Sequence, residues 1–295
     1  MVRDYLKLLR IYQWTKSGFI FLPVVFSGLL PIILNDPFGT RALDIVFRLA
    51  CAFLAFSFAA SSVYVFNDYR DRHQDALDER KKKRPIASGR IGAGGAIVAI
   101  CVLLLLAAAF ASRLPHTYQI ILIIYVAQNI FYTLIGKRIL LLDVFFIAVG
   151  FVFRVLAGAS AIEVEASPWL LSCTLFLALF LGFFKRYYEL RTSPPEIMIG
   201  GQYTAESLKN FISITASLSV MNYAIYTLEG KYASERLYWT IPLVVLGIFR
   251  YYTLMDRSEL EDGNPSDVLL NDKFLIAVIA VWILLCAALL LHLAG

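Results

Sequence analysis

Nine runs of predominantly apolar residues recur along the 295-residue chain, each long enough to cross a hydrocarbon core of roughly 30 Å. They cover about Ser17 to Leu34, Ala42 to Phe66, Ile91 to Ser112, Thr117 to Ile135, Ile139 to Ala161, Pro168 to Phe184, Leu208 to Leu228, Tyr238 to Leu254 and Phe274 to Leu293. Hydrophobic residues make up 59% of the chain and charged residues 17%, too apolar a balance for an ordinary soluble domain. The expected fold is an all-α polytopic membrane protein of nine transmembrane helices, a single membrane domain over residues 1–295. The opening stretch, MVRDYLKLLRIYQWTK, is basic and amphipathic and lacks a small-residue cleavage site. It reads as an interfacial N-terminal helix over residues 1–16 and not as a signal peptide.

Lysine and arginine give the orientation. With a cytoplasmic N-terminus, one side collects Arg3, Lys7, Arg10 and Lys16, the loop from Arg70 to Arg90, Lys137 and Arg138, the loop from Lys185 to Lys209, and the segment from Arg250 to Lys273. The other side keeps Arg41, Arg113, Lys231 and Arg236, so positive charge lies inside at every loop. The net charge of +5 is mainly topological and calls for no nucleic-acid partner. The run from Lys81 to Arg84 also sits where it can meet an anionic headgroup or a substrate phosphate.

Within this frame the stretch from Asn67 to Gly89, NDYRDRHQDALDERKKKRPIASG, carries the chemistry. Asp68, Asp71, Asp75 and Asp78 are spaced three, four and three, so a helix continuing past Phe66 projects all four carboxylates from one face. Like charges at that spacing repel and lose hydration near a bilayer, a cost that a divalent cation removes. Carboxylate oxygens suit Mg²⁺, which takes one or two of them and completes its shell with water and substrate phosphates. The pattern predicts a diphosphate-bearing substrate.

A second polar island, GFFKRYYELR from Gly182 to Arg191, ends the sixth run. It occupies the place of the acidic island four spans later, which suggests two similar halves facing one cavity. Its charges are mostly positive: Lys185, Arg186 and Arg191 against Glu189, with Tyr187 and Tyr188 between. A metal site opposite a cationic site suits a substrate with phosphates at two ends; equally, such residues simply terminate a span on the positive side. Asp143 and Arg154, eleven residues apart in the fifth run, share a face but lie about 16 Å apart along the axis, too far to bond each other. Each is expected to face the bundle interior, paired with another helix or, for Arg154, binding a phosphate. Asn129 and Tyr132 belong to the same class, and Arg48 is placed to snorkel. Asp256, Glu259, Glu261, Asp262, Asp267 and Asp272 fit a solvated turn around GNP. The four cysteines and three histidines form no ligand spacing.

The segment NDYRDRHQDALDERKKKRPIASG resembles the first aspartate-rich motif of the UbiA superfamily of intramembrane prenyltransferases, NDxxDxxxD followed by a Lys and RP. LRIYQWTKSGFIFLP, LLDVFFIAVGFVFRVLAGA, GFFKRYYEL and GNPSDVLLNDK are similar to one branch, the decaprenyl-phosphate phosphoribosyltransferases. The resemblance implies a UbiA-like bundle around a central cavity open to the cytoplasmic side of the cell membrane, with residues 67–90 and 185–209 as active-site loops. Typical prenyltransferases carry a second DxxxD where this chain has KRYYE. A prenyl diphosphate has one charged end, whereas phosphoribosyl pyrophosphate has two, so cations at the second island make chemical sense. The family often has His-Pro where Asp78 and Glu79 stand here.

The resemblance implies Mg²⁺-dependent transfer of a 5-phosphoribosyl group from phosphoribosyl pyrophosphate to a polyprenyl phosphate, on a route to lipid-linked arabinose for cell-wall polymers. Asp68, Asp71 and Asp75 would hold the metal and Asn67 would orient them. Lys81 and Arg84 would stabilise the leaving group, while Lys185, Arg186 and Tyr188, with Glu189 alongside, would grip the 5-phosphate. Lys16, Gln13 and Arg154 are candidates for the lipid phosphate. One alternative is a prenyltransferase joining a prenyl diphosphate to an aromatic or lipid acceptor. The other is a transporter using buried charges as an ion path, although here the acids gather at one mouth and not at the bilayer midplane.

Overall fold

A computed structural model describes residues 2–79, 81–192, 203–229, 237–254 and 271–292. All regular structure among them is helical. The long helices are α4 (Thr40–Asp75), α5 (Ala93–Ala111), α6 (His116–Leu134), α7 (Leu142–Ala161), α8 (Pro168–Thr192), α9 (Ala205–Glu229), α10 (Ile241–Leu254) and α11 (Lys273–His292), preceded by the short α1 (Val2–Leu8), α2 (Leu22–Phe26) and α3 (Leu30–Asn35). Among the described residues seven helical segments, from α4 to the one ending at Leu254, are long and apolar enough to cross a membrane; a shorter apolar helix covers Lys273–Leu289.

The expected first span is not one helix. Residues Ile11–Phe21 form a 3-10 segment, followed by α2 and α3, each of which begins with a proline near its first position. Pro23 and Pro31 cannot donate to a preceding turn, and Gly28 between them takes a left-handed φ of 76°, so the chain folds back in short pieces. The N-terminal stretch is likewise a seven-residue helix and then a docked segment, joined at Arg10, which is left-handed at φ 47°. The docking has a visible cause at Gly158 of α7, where an added Cβ would collide with the Ile20 carbonyl oxygen. Only glycine lets that backbone come so close.

Small residues bury the middle of α4: Ala52, Ala55, Ala59 and Ala60 with Ser57, Ser61 and Ser62. Lipid is as apolar as leucine, so helices in it associate through close packing of small side chains, not through hydrophobic burial. Leu105 on α5 and Ile123 on α6 are accordingly exposed. Beside a small apolar core of Leu8, Val65, Ile86, Ile91, Ala96 and Leu103, two larger cores result. One joins α4, α6 and the C-terminal half of α7 through Ala157 and Ala161; the other joins α8 to α11 with the N-terminal half of α7 through Val144 and Ala148. Helix α7 is the wall they share.

Helix α4 has 36 residues, roughly 54 Å of axis, so it outruns the hydrocarbon core. It continues through Asp75, carrying Asp68, Asp71 and Asp75 in helical register; of the expected loop 67–90, the first nine residues are helix. Helix α8 likewise continues past Phe184 to Thr192, so Lys185, Arg186, Tyr188 and Glu189 stand on a helix end and not in a loop. Of the acidic residues before α11, Asp256, Glu259, Glu261, Asp262 and Asp267 lie outside the described residues. Asp272 accepts from Arg250 Nη2 at 2.7 Å.

Candidate active site

The acidic end of α4 is nearly buried and already neutralised. Asp68 and Asp75 are 3% and 5% exposed. Arg10 Nη2 donates to both carboxylate oxygens of Asp68, at 2.5 and 2.6 Å. Arg84 Nη1 donates to Asp68 Oδ1 at 3.1 Å and to Asp75 Oδ2 at 2.7 Å. Lys81 Nζ lies 4.0 Å from Asp75 Oδ1 and 3.8 Å from Asp78 Oδ2. Asp71 turns to a different partner, Lys137, whose ammonium donates to its two oxygens at 2.5 and 2.6 Å. Burial works against the charge of Arg10, but Asp68 beside it prevails and holds the guanidinium above its ordinary pKa.

The three aspartates expected to share a metal therefore divide. Asp68 and Asp75 converge on one nitrogen of Arg84, while Asp71 belongs to Lys137; among the described residues no three His, Cys, Asp or Glu side chains gather closely enough to cage an ion. The repulsion inherent in the three-four spacing is relieved here by guanidinium and ammonium groups. Next to Asp68, the Asn67 side-chain oxygen is buried without a hydrogen-bond partner. Two convergent carboxylate oxygens and an orphaned amide oxygen are the hard donors that Mg²⁺ takes, and it needs no more than one or two carboxylates when substrate phosphates complete its shell. The residue set fits the ion.

The second island forms a tighter network. Arg186 donates from Nε to Asp143 Oδ2 at 2.7 Å and from Nη1 to Glu189 Oε2 at 2.5 Å, and it interacts electrostatically with Tyr132. Asp143 is fully buried and also accepts from the Tyr203 hydroxyl at 2.7 Å, which in turn accepts the Leu141 N–H at 2.9 Å. Leu141 has φ 70°, a strained position for leucine that this bond supports. Burial first, and then Asp143, push the Tyr203 phenol well above its ordinary range, so it stays a donor. Lys185 Nζ stands 3.8 Å from Glu189 Oε1 and interacts electrostatically with Lys16 and Lys81. Tyr188 is half-buried on the same helix end. The N-terminal segment, the basic run after α4 and the end of α8 thus meet around one space.

Arg154 is set apart. It donates to the Gly150 carbonyl at 2.7 Å and to the Tyr125 hydroxyl at 3.1 Å, and the rings of Phe56, Tyr125 and Phe151 lie 5.0 to 5.3 Å from its guanidinium carbon. Its Nε is buried without a partner, as is the side-chain oxygen of Gln13. Asp143 and Arg154 do not bond each other, as their separation along α7 requires. Sequence reasoning passed over Arg10 and Lys137, which read there as topological charges, and Tyr203, which has no local signature. Their available signal was arithmetic: buried acids on α4 need as many cations, and these stand in the flanking loops.

A family model described as the UbiA prenyltransferase family matches residues 38–272. The chain belongs to the UbiA prenyltransferase family. Membership makes it a membrane-embedded enzyme of transferase type. This UbiA family member is 30% identical over 295 residues to an uncharacterized protein of Sinorhizobium fredii, covering 95% of this chain and 55% of that protein, so it spans about half the relative's length. It is 28% identical over 290 residues to the decaprenyl-phosphate phosphoribosyltransferase of Corynebacterium glutamicum, covering 94% of this chain and 84% of that one. The protein of that name from Mycolicibacterium smegmatis is 27% identical over 301 residues, with coverage of 96% and 91%. Among solved structures, a UbiA homolog from Archaeoglobus fulgidus bound to GPP and Mg²⁺ matches with a TM-score of 0.73 at 18% identity, over 98% of this chain and 99% of that one. That likeness establishes the UbiA-like helical fold.

Proposed function

We propose that the protein transfers a 5-phosphoribosyl group from phosphoribosyl pyrophosphate to a polyprenyl phosphate of decaprenyl type. The observation that carries this reading is the cationic second island. Lys185 and Arg186 stand where a second acidic motif would serve a substrate with a single diphosphate, and Lys16 and Lys81 add to the same positive field. The relatives named decaprenyl-phosphate phosphoribosyltransferase support the same choice of donor.

In this mechanism Asp68, Asp75 and Asn67 would hold Mg²⁺ against the diphosphate, with Asp71, paired here with Lys137, as a further ligand. A bound Mg²⁺ would neutralise the diphosphate and stabilise it as a leaving group. Arg84 and Lys81 add positive charge at the departing oxygens. Arg186, Lys185 and Tyr188 grip the 5-phosphate, which takes the place of Glu189 on both cations. A lipid-phosphate oxygen then forms a bond to C1 while the C1–O bond to pyrophosphate breaks, the electron pair leaving with pyrophosphate. The acceptor is already anionic, so no general base is required. Because Lys16 shares its field with Lys185, we assign it to the donor, together with Gln13 on the same segment. Arg154, enclosed by three rings, serves packing.

The distribution of Lys and Arg supports a site on the cytoplasmic face of the cell membrane with the N-terminus inside. The product would then feed lipid-linked arabinose for cell-wall polymers. The test is to incubate purified protein with phosphoribosyl pyrophosphate and polyprenyl phosphate, with and without Mg²⁺, and to look for lipid-linked phosphoribose by mass spectrometry. Metal-dependent product supports the proposal. Consumption of a prenyl diphosphate instead would return the enzyme to ordinary prenyl transfer.

A further inference from the structure

A cavity of about 390 Å³ opens beside Asp68, on the side facing the N-terminal segment. Its volume is in the range of small-molecule sites, about 300–1,000 Å³. Lys7, Arg10, Lys83 and Arg84 line it against one carboxylate, Asp68. Arg10 and Arg84 are committed to that carboxylate, whereas the ammonium groups of Lys7 and Lys83 have no anionic partner among the described residues. The cavity therefore holds two unspent positive charges next to the acidic motif. Its other walls are apolar, and Leu6, Ile11 and Tyr12, which line it, are 55%, 57% and 63% exposed. Two free cations flanked by an exposed apolar rim match an amphiphile with a single phosphate. The donor fits less well, since the other two proposed metal donors, Asp75 and Asn67, do not line this cavity.

We infer that this cavity receives the phosphate headgroup of the lipid acceptor. Lys7 and Lys83 bind the phosphate oxygens, and the hydrocarbon chain leaves over Leu6 and Ile11 into the bilayer. The inference rests on the phosphoribosyl-transfer reading for the identity of the acceptor. Its geometry supplies what that mechanism lacks, an approach to Asp68 along a cavity lined by the N-terminal segment and residues 83–85. Charge-assisted hydrogen bonds of this kind are each worth roughly tenfold or more in affinity.

The experiment measures binding of radiolabelled polyprenyl phosphate to the full-length protein in nanodiscs, with no donor present. The wild type is compared with a variant carrying Lys7→Gln and Lys83→Gln together, and with its charge-keeping counterpart, Lys7→Arg with Lys83→Arg. The expected result is at least about tenfold weaker binding in the glutamine variant, recovery in the arginine variant, and no change in binding of the uncharged polyprenol. In turnover, the acceptor KM rises by a similar factor and the donor KM changes less than about twofold. A rise confined to the donor KM would assign the cavity to phosphoribosyl pyrophosphate and overturn the inference. So would an effect that appears in bilayers of anionic lipid and vanishes in neutral phosphatidylcholine, which would make the two lysines a membrane-surface contact. Unchanged polyprenyl phosphate binding would overturn it outright. Binding that depends on both lysines, alongside a wild type that forms no lipid-linked phosphoribose, would remove the donor assignment and leave this site standing.

Discussion

Asp71 and Lys137 form a pair that is mostly buried, with side chains 16% and 8% exposed, and each makes the other tolerable there. Removing one partner of such a pair strands a charge. Lys137→Met is expected to lower stability by about 3 kcal/mol, read as a fall in the denaturation midpoint of the detergent-solubilised protein. Asp71→Asn leaves an amide that still bonds the ammonium, so the fold survives, while turnover falls at least about a hundredfold as the proposed metal site loses a ligand. Full activity in that variant would remove Asp71 from the mechanism. Asp143 is a positioning residue by the same logic. It touches Arg186 and Tyr203, and Asp143→Asn should raise the donor KM about tenfold, with a smaller effect on the acceptor KM. Equal shifts in both would indicate general loosening instead.

At the scale of elements, what is legible in the sequence follows from what the bilayer imposes. The second to eighth apolar runs appear as helices that start within a few residues of expectation, because lipid leaves their backbones no other partners, while α4 and α8 outrun their expected ends at Phe66 and Phe184 to reach Asp75 and Thr192. The acidic face of α4 is equally legible, since helical spacing alone aligns Asp68, Asp71 and Asp75. The broken first run was announced by Pro23, Gly28 and Pro31, a signal that overall hydrophobicity masks. What cannot be read are the pairings between elements. Nothing local joins Arg10 to Asp68, 58 positions away, or Tyr203 to Asp143, 60 positions away. One contact between elements is sharply testable. Gly158→Ala would drive a methyl into the Ile20 carbonyl, and the strain is expected to cost about 2 kcal/mol and to expose the N-terminal segment to protease before the rest of the chain. Unchanged protease resistance would mean that this segment docks elsewhere.

For the whole molecule, the unequal distribution of Lys and Arg predicts which face meets the cytoplasm. In a background with the four cysteines replaced, Lys82→Cys should react with an impermeant thiol reagent in inverted vesicles, and Arg113→Cys in intact cells. The reverse pattern would turn the active site outward. Stripping divalent ions with a chelator should abolish product formation, and added Mg²⁺ should restore it. The ion pairs already present in the fold also bear on affinity. Arg10, Arg84, Lys137 and Arg186 each hold an internal carboxylate, so an arriving phosphate or metal replaces a partner and does not meet a bare charge. Occupancy is thus an ion exchange carried out inside the protein. Each contact that these four cations make to substrate is offset by one released, and selectivity lies in which anion each of them prefers.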